Sequence, residues 1–130
     1  MMISPGREDA PRATKPTLAD VDDTERVLRR LALNDEACVE MVLAGGGEGA
    51  VGSALERKEN LLVRLGALLA LGAATTSLRA TVKHAIDAGA TEAEIVGVLV
   101  AVAPAVGLAR VVSSAPKLAN AIGYDIEADE

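Results

Sequence analysis

Ala85-Ile86-Asp87-Ala88-Gly89-Ala90-Thr91-Glu92-Ala93-Glu94-Ile95 is the stretch on which the fold turns. Gly89 ends one run of helically spaced apolar residues, because a glycine tolerates the left-handed conformation that closes a helix. Two residues later Thr91-x-x-Glu94 is a capping box, in which the threonine hydroxyl and the glutamate carboxylate satisfy backbone N–H groups at the start of the next helix. A chain punctuated in this way passes from helix to helix. On both sides apolar residues keep recurring at helical spacing, and no segment alternates with period two long enough to make a strand. The fold class is therefore all-α, with about six helices.

Working outward, the fourth helix spans about Thr76 to Ala88, and the third runs from a second box, Ser53-x-x-Glu56, to near Gly72, carrying Leu55, Leu61, Leu62, Leu65, Leu68, Leu69 and Leu71. The fifth, Glu92 to Ala103, is apolar on almost every side, which suits a central helix or one in a subunit interface. Pro104 is expected to break or kink it, and Pro116 to break the last helix or open it before the stop at Gly123. Upstream, Asp23 to Leu33 makes a first helix with Val27, Leu28 and Leu31 on one stripe. Asn34 reads as the N-cap of a short second helix with Val39, Val42 and Leu43, stopped by Gly45. Gly47, Gly49 and Gly52 form a GxGxxG string, but a helix precedes it where the dinucleotide fingerprint needs a strand, so it reads as an interhelix loop. Residues 1–17 read as a mobile tail, 18–124 as a single helical domain and 125–130 as an acidic tail.

The length of 130 residues suits one domain with one core. That core must be aliphatic, because the chain has no Phe, no Trp and one Tyr, Tyr124. The same deficit leaves no stacking platform for bases, and a net charge of −6 disfavours phosphate backbones, so no nucleic-acid partner is expected. The single cysteine, Cys38, excludes an internal disulfide and a CxxC centre, and the single histidine, His84, excludes a histidine-rich zinc site. No metal or cofactor is expected. The uncharged stretch Ile95–Ala109 is shorter than the ~18 residues of a membrane span and contains Pro104, and the polar N-terminus has no secretory h-region. The expectation is a cytoplasmic protein without a membrane partner.

Leu55 to Ala109 resembles the carboxymuconolactone decarboxylase family, which includes the alkylhydroperoxidase D-like proteins. The resemblance is carried by Leu61-Leu62-Val63-Arg64-Leu65 running into Ala70-Leu71-Gly72, by the Ala85–Ile95 string, and by Ala103-Pro104-Ala105-Val106-Gly107. It implies a small helical protomer assembled as a trimer or hexamer. It also implies either thiol-based peroxide reduction through CxxC, Glu and His, or lactone decarboxylation without metal or organic cofactor. This chain departs from that pattern. Counting back from Gly89, the two cysteine positions hold Ala74 and Ser77, the histidine position Thr81, the upstream glutamate position Leu62, and a usual basic position Asn60. Peroxidatic chemistry needs two thiols on one turn, and neither is present.

Ala74, Ser77, Thr81, His84 and Ala88 share one stripe of the fourth helix. His84 therefore lies on the stripe the resemblance assigns to chemistry, one turn further along, and Glu59 is displaced by one turn from Leu62 on the third helix. In an antiparallel hairpin both displacements, ~4.5 Å each, point the same way. Glu59 and His84 are thus candidate catalytic residues, a relocated carboxylate–imidazole pair for acid–base work. Ser77, Thr81 and Arg64 are candidate ligand-binding residues. The plainer readings are a glutamate favoured by the helix dipole, an edge histidine packed on aliphatic side chains, and an arginine paired across a subunit interface. Cys38 reads as a buried structural thiol, and Arg26, Arg29 and Arg30 as a solvated, salt-linked surface.

Two functional readings follow. The first is a non-redox oligomer that binds a small molecule or partner, and the missing signature residues favour it. The second is a cofactor-free decarboxylase or isomerase of a small acidic ligand, working through Glu59 and His84. A purely structural or assembly role is a third.

Overall fold

The computed structural model of the chain describes residues 18–44 and 54–126, with side chains from residue 24 onward. Within them every regular element is a helix: α1 Leu18–Ala32, α2 Glu36–Leu43, α3 Arg57–Leu71, α4 Thr75–Asp87, α5 Glu92–Val106 and α6 Leu108–Ile122. The all-α class and the six helices agree with the sequence. The chain divides into two compact units, Met1–Ala54 and Leu55–Glu130. The tail over residues 1–17, the glycine-rich string with its GxGxxG pattern, Ser53 and the last four residues lie outside the described residues.

In the first unit Asn34 ends α1 instead of capping α2. It takes φ 60°, its N–H donates to the Leu31 carbonyl at 3.0 Å, and the Asp35 N–H reaches the Arg30 carbonyl at 2.9 Å. These two bonds make a Schellman stop, in which asparagine is the residue that best replaces glycine. The N-cap of α2 is therefore Asp35, whose Oδ1 accepts from the Cys38 N–H at 3.2 Å. Cys38 is buried, while Leu28, expected on the inner stripe of α1, is 69% exposed.

The second unit holds four helices joined by links of one to four residues. α3 begins one turn later than its sequence suggested. Glu56 is its N-cap, because the Glu59 carboxylate accepts from the Glu56 N–H at 3.0 Å, and Leu55 stays outside the helix. The Thr91–Glu94 box closes as read: Glu94 N–H to Thr91 Oγ1 and Thr91 N–H to Glu94 Oε1, both 3.0 Å. The core consists of Leu61, Leu65 and Leu69 from α3, Leu78, Val82 and Ala85 from α4, Ala90 from the α4–α5 link, Ile95 from α5 and Leu118 from α6. Fully burying one such aliphatic side chain contributes about 1.5–3 kcal/mol. The buried Ser114 hydroxyl donates to the Leu69 carbonyl at 3.2 Å, which offsets the cost of burying it.

Pro116 lies in the middle of its helix, neither breaking nor opening it, and α5 outlasts Pro104 by two residues. Each proline removes one N–H that would have bonded the carbonyl four residues earlier. Those carbonyls belong to Val100 and Val112, whose residues are 67% and 61% exposed, so water can take the lost bond. The buried faces, Ile95 on α5 and Ser114 and Leu118 on α6, keep both helices seated.

Candidate functional site

The α3–α4 turn is where the resemblance places the chemistry of a thiol enzyme. Gly72 ends α3 with φ 75°, and the Arg110 guanidinium lies against it where a Cβ would have to go. The left-handed φ is what favours glycine there, since the flexible Arg110 side chain could move aside. Ala74 is the N-cap of α4 and offers no side-chain bond, and Ser77 stands exposed in the first turn. Thr81 is half-buried and His84 is exposed in the last turn. The turn thus carries one hydroxyl-bearing stripe and no sulfur, and the chain's single thiol, Cys38, is buried in the other unit.

Glu59 and His84 both occur at the end of the α3–α4 hairpin remote from that turn, and both are exposed. The Glu59 carboxylate serves the Glu56 amide, and among the described residues no hydrogen bond or ion pair joins it to His84. Arg64 lies on the exposed side of α3 and is not enclosed by the core. Leu62, at the position where the resemblance puts a glutamate, is half-buried against the core.

A concavity lies elsewhere. A groove of about 510 Å³ runs between α3 and α5, with Leu62, Gly66 and Ala70 on one wall and Val98, Val102 and Ala105 on the other. Its lining residues are aliphatic or glycine throughout. At Gly66 the two helices come close enough that a Cβ would lie 3.3 Å from Val102 Cγ1. Sequence reasoning missed this groove. The signal was present as small residues one turn apart, Gly66 and Ala70 on one helix and Ala101 and Ala105 on another, but only the pairing of those helices makes a groove of them.

The polar order of the unit lies at the start of α5. Glu94 accepts from Thr91 and is bridged by Lys58 at 3.2 Å, and these bonds hold its carboxyl below the usual glutamate range, the Thr91 backbone bond contributing most. Tyr124 donates to Glu92 at 2.8 Å, and that bond raises the phenol above its usual value. Among the described residues no group of three or more His, Cys, Asp and Glu could hold a metal ion. Among them, too, no helix is long and apolar enough to cross a membrane.

The family model described as carboxymuconolactone decarboxylase family matches residues 32–120. No curated protein and no solved structure matches the chain significantly.

Proposed function

The chain belongs to the carboxymuconolactone decarboxylase family, and from that premise we propose that it is a non-redox, self-associating member that binds a small apolar molecule between α3 and α5. The observation that carries this reading is the α3–α4 turn without sulfur: Ala74 and Ser77 hold the positions of the thiol pair, and Cys38 is buried in the other unit. Thiol–disulfide chemistry needs an accessible thiolate and a second sulfur to resolve it. The groove supports the binding role, since an aliphatic cleft of this size is in the range that takes small organic ligands. Self-association, as a trimer or hexamer, is supported by the exposed Val63 on α3 and Val100 on α5.

Native mass spectrometry of the freshly purified protein tests both halves. A multimer carrying a stoichiometric small mass is expected, with that mass lost in Ala101→Phe, which fills the groove. A monomer, or a mass retained by Ala101→Phe, overturns the reading. Dithiol-dependent peroxide consumption that disappears in Cys38→Ser would overturn its non-redox part.

The second reading, a cofactor-free decarboxylase or isomerase of an acidic substrate, is favoured by one observation. Glu59 and His84 are solvent-accessible at the same end of one hairpin. In it His84 moves a proton, Glu59 would have to leave the Glu56 amide to reach the imidazole, and Ser77, Thr81 and Arg64 orient the substrate. Turnover lost in His84→Ala with assembly retained would support it; assembly and ligand retention unchanged in His84→Ala, with no turnover in either form, supports the first reading.

A further inference from the structure

Charge is segregated along the four-helix unit. No Asp or Glu occurs between Asn60 and Ile86, nor between Ile95 and Tyr124. Three of the cations of those stretches, Arg79, Arg110 and Lys117, are placed toward the α3–α4 turn, whereas Arg64 lies along α3 and Lys83 near the other end of α4. Arg110 lies against Gly72, Lys117 Nζ donates to the Ala73 carbonyl at 3.5 Å, and Arg79 donates to the Asn120 amide oxygen at 2.8 Å, one turn beyond Lys117 on α6. Among the described residues none of the three meets a carboxylate.

The acids gather at the other end. Glu56 and Glu59 start α3, Asp87 ends α4, Glu92 and Glu94 start α5, and Asp125 follows α6. The Lys58–Glu94 and Tyr124–Glu92 contacts tie these termini together. Six carboxylates there face three lysine or arginine side chains, Arg57, Lys58 and Lys83.

Each end also carries exposed apolar side chains. Leu71 precedes Gly72 and is 77% exposed, and Leu108 and Val112 flank Arg110 on α6 at 78% and 61%. At the acidic end Ile86 and Tyr124 are exposed next to Asp87 and Asp125 in the chain. Surface ion pairs alone contribute little, but apolar contact that excludes water strengthens the charge pairs it surrounds. The two ends are therefore complementary in sign and alike in their apolar component, which fits one copy of the chain to the next.

We propose that the α3–α4 turn of one copy, through Arg79, Arg110 and Lys117, docks on the acidic end of a second copy, at Asp87 and Glu92, in a head-to-tail interface. Such an interface joins different patches on the two partners and closes into a ring when its rotation permits. The inference rests on the self-association proposed above and adds which surfaces carry it.

The test is a charge-reversal cycle on the full chain, read as the dissociation constant of the assembly by sedimentation. Arg110→Glu with Lys117→Glu, and separately Asp87→Lys with Glu92→Lys, should each weaken assembly by about tenfold or more. All four changes together should bring it back to within about threefold of the original. Raised ionic strength should weaken the unmodified assembly. If a reversal variant loses its helical circular dichroism, Arg110→Gln with Lys117→Gln takes its place and should weaken assembly in the same direction. A monomeric parent overturns both this inference and self-association. An assembly indifferent to reversal of either end, or one the fourfold variant does not restore, overturns the head-to-tail interface and leaves self-association standing.

Discussion

The α1–α2 pair and the α3–α6 bundle treat the same side chains differently. Leu65, Leu69 and Leu78 in the bundle are at most 1% exposed, whereas Leu28, Leu33 and Leu43 in the pair are 69%, 75% and 80% exposed. Two helices meet along a single seam, whereas four enclose an interior, so an equally apolar helix buries more when it has more neighbours. Even in the bundle, burial depends on which face of a helix meets a neighbour, since Leu71 and Leu108 there are 77% and 78% exposed.

That contrast can be broken most sharply at its extremes. Leu69→Ala should lower the unfolding free energy by about 3 kcal/mol, from lost transfer energy and the cavity left behind, whereas Leu28→Ala should stay within about 0.5 kcal/mol. Urea unfolding measures both, and equal costs would end the comparison. Two left-handed helix stops, one in each unit, sharpen it next. Gly72→Ala puts a Cβ at φ 75° against Arg110 and should cost about 1–2 kcal/mol, while Asn34→Gly at φ 60° should be neutral or slightly stabilising. Thermal melts of the two variants should therefore move apart.

The N-caps give a smaller difference. Thr91→Ala removes half of a complete box and should cost about 1 kcal/mol, and Asp35→Ala, a single cap bond in the pair, about the same or less. The smallest effect is electrostatic. The folded-state pKa of Glu94 lies below its ordinary value, so its contribution is complete above the ordinary glutamate range and fades as pH falls through the lowered one. Glu94→Gln should therefore flatten the acid limb of stability against pH in the bundle. An unchanged limb would mean that the Thr91 and Lys58 contacts do not persist in solution.

What the sequence disclosed was local. Thr91–Glu94, Gly72 and Gly123 act within one turn of chain, and each does in the structure what its residue type implies. The errors were of two kinds. Asn34 and Glu56 missed by a residue or a turn, because asparagine both caps and stops helices and because two overlapping boxes competed at Ser53–Glu59. Pro116 misled because its cost depends on which side of the helix faces water, and that is set by the neighbours. The apolar groove was illegible for the same reason, since Gly66 and Ala105 become opposite walls only once α3 and α5 are side by side. The displacement of Glu59 and His84 to one end of the hairpin is legible, but the attachment of Glu59 to the Glu56 amide is not, since in the sequence Glu56 is the far end of a different box.

Gly107 alone joins α5 to α6, and its N–H still bonds the Ala103 carbonyl. In kinetic terms this joint leaves almost no slack to search. The packing of α6 on α4 spans only the length of α5, so the closure entropy is small and grows only slowly with any lengthening of the link. Folding of the bundle should then be fast, with α6 committed to its place as soon as α5 has formed, and an insertion after Gly107 should slow that step while changing the final stability little.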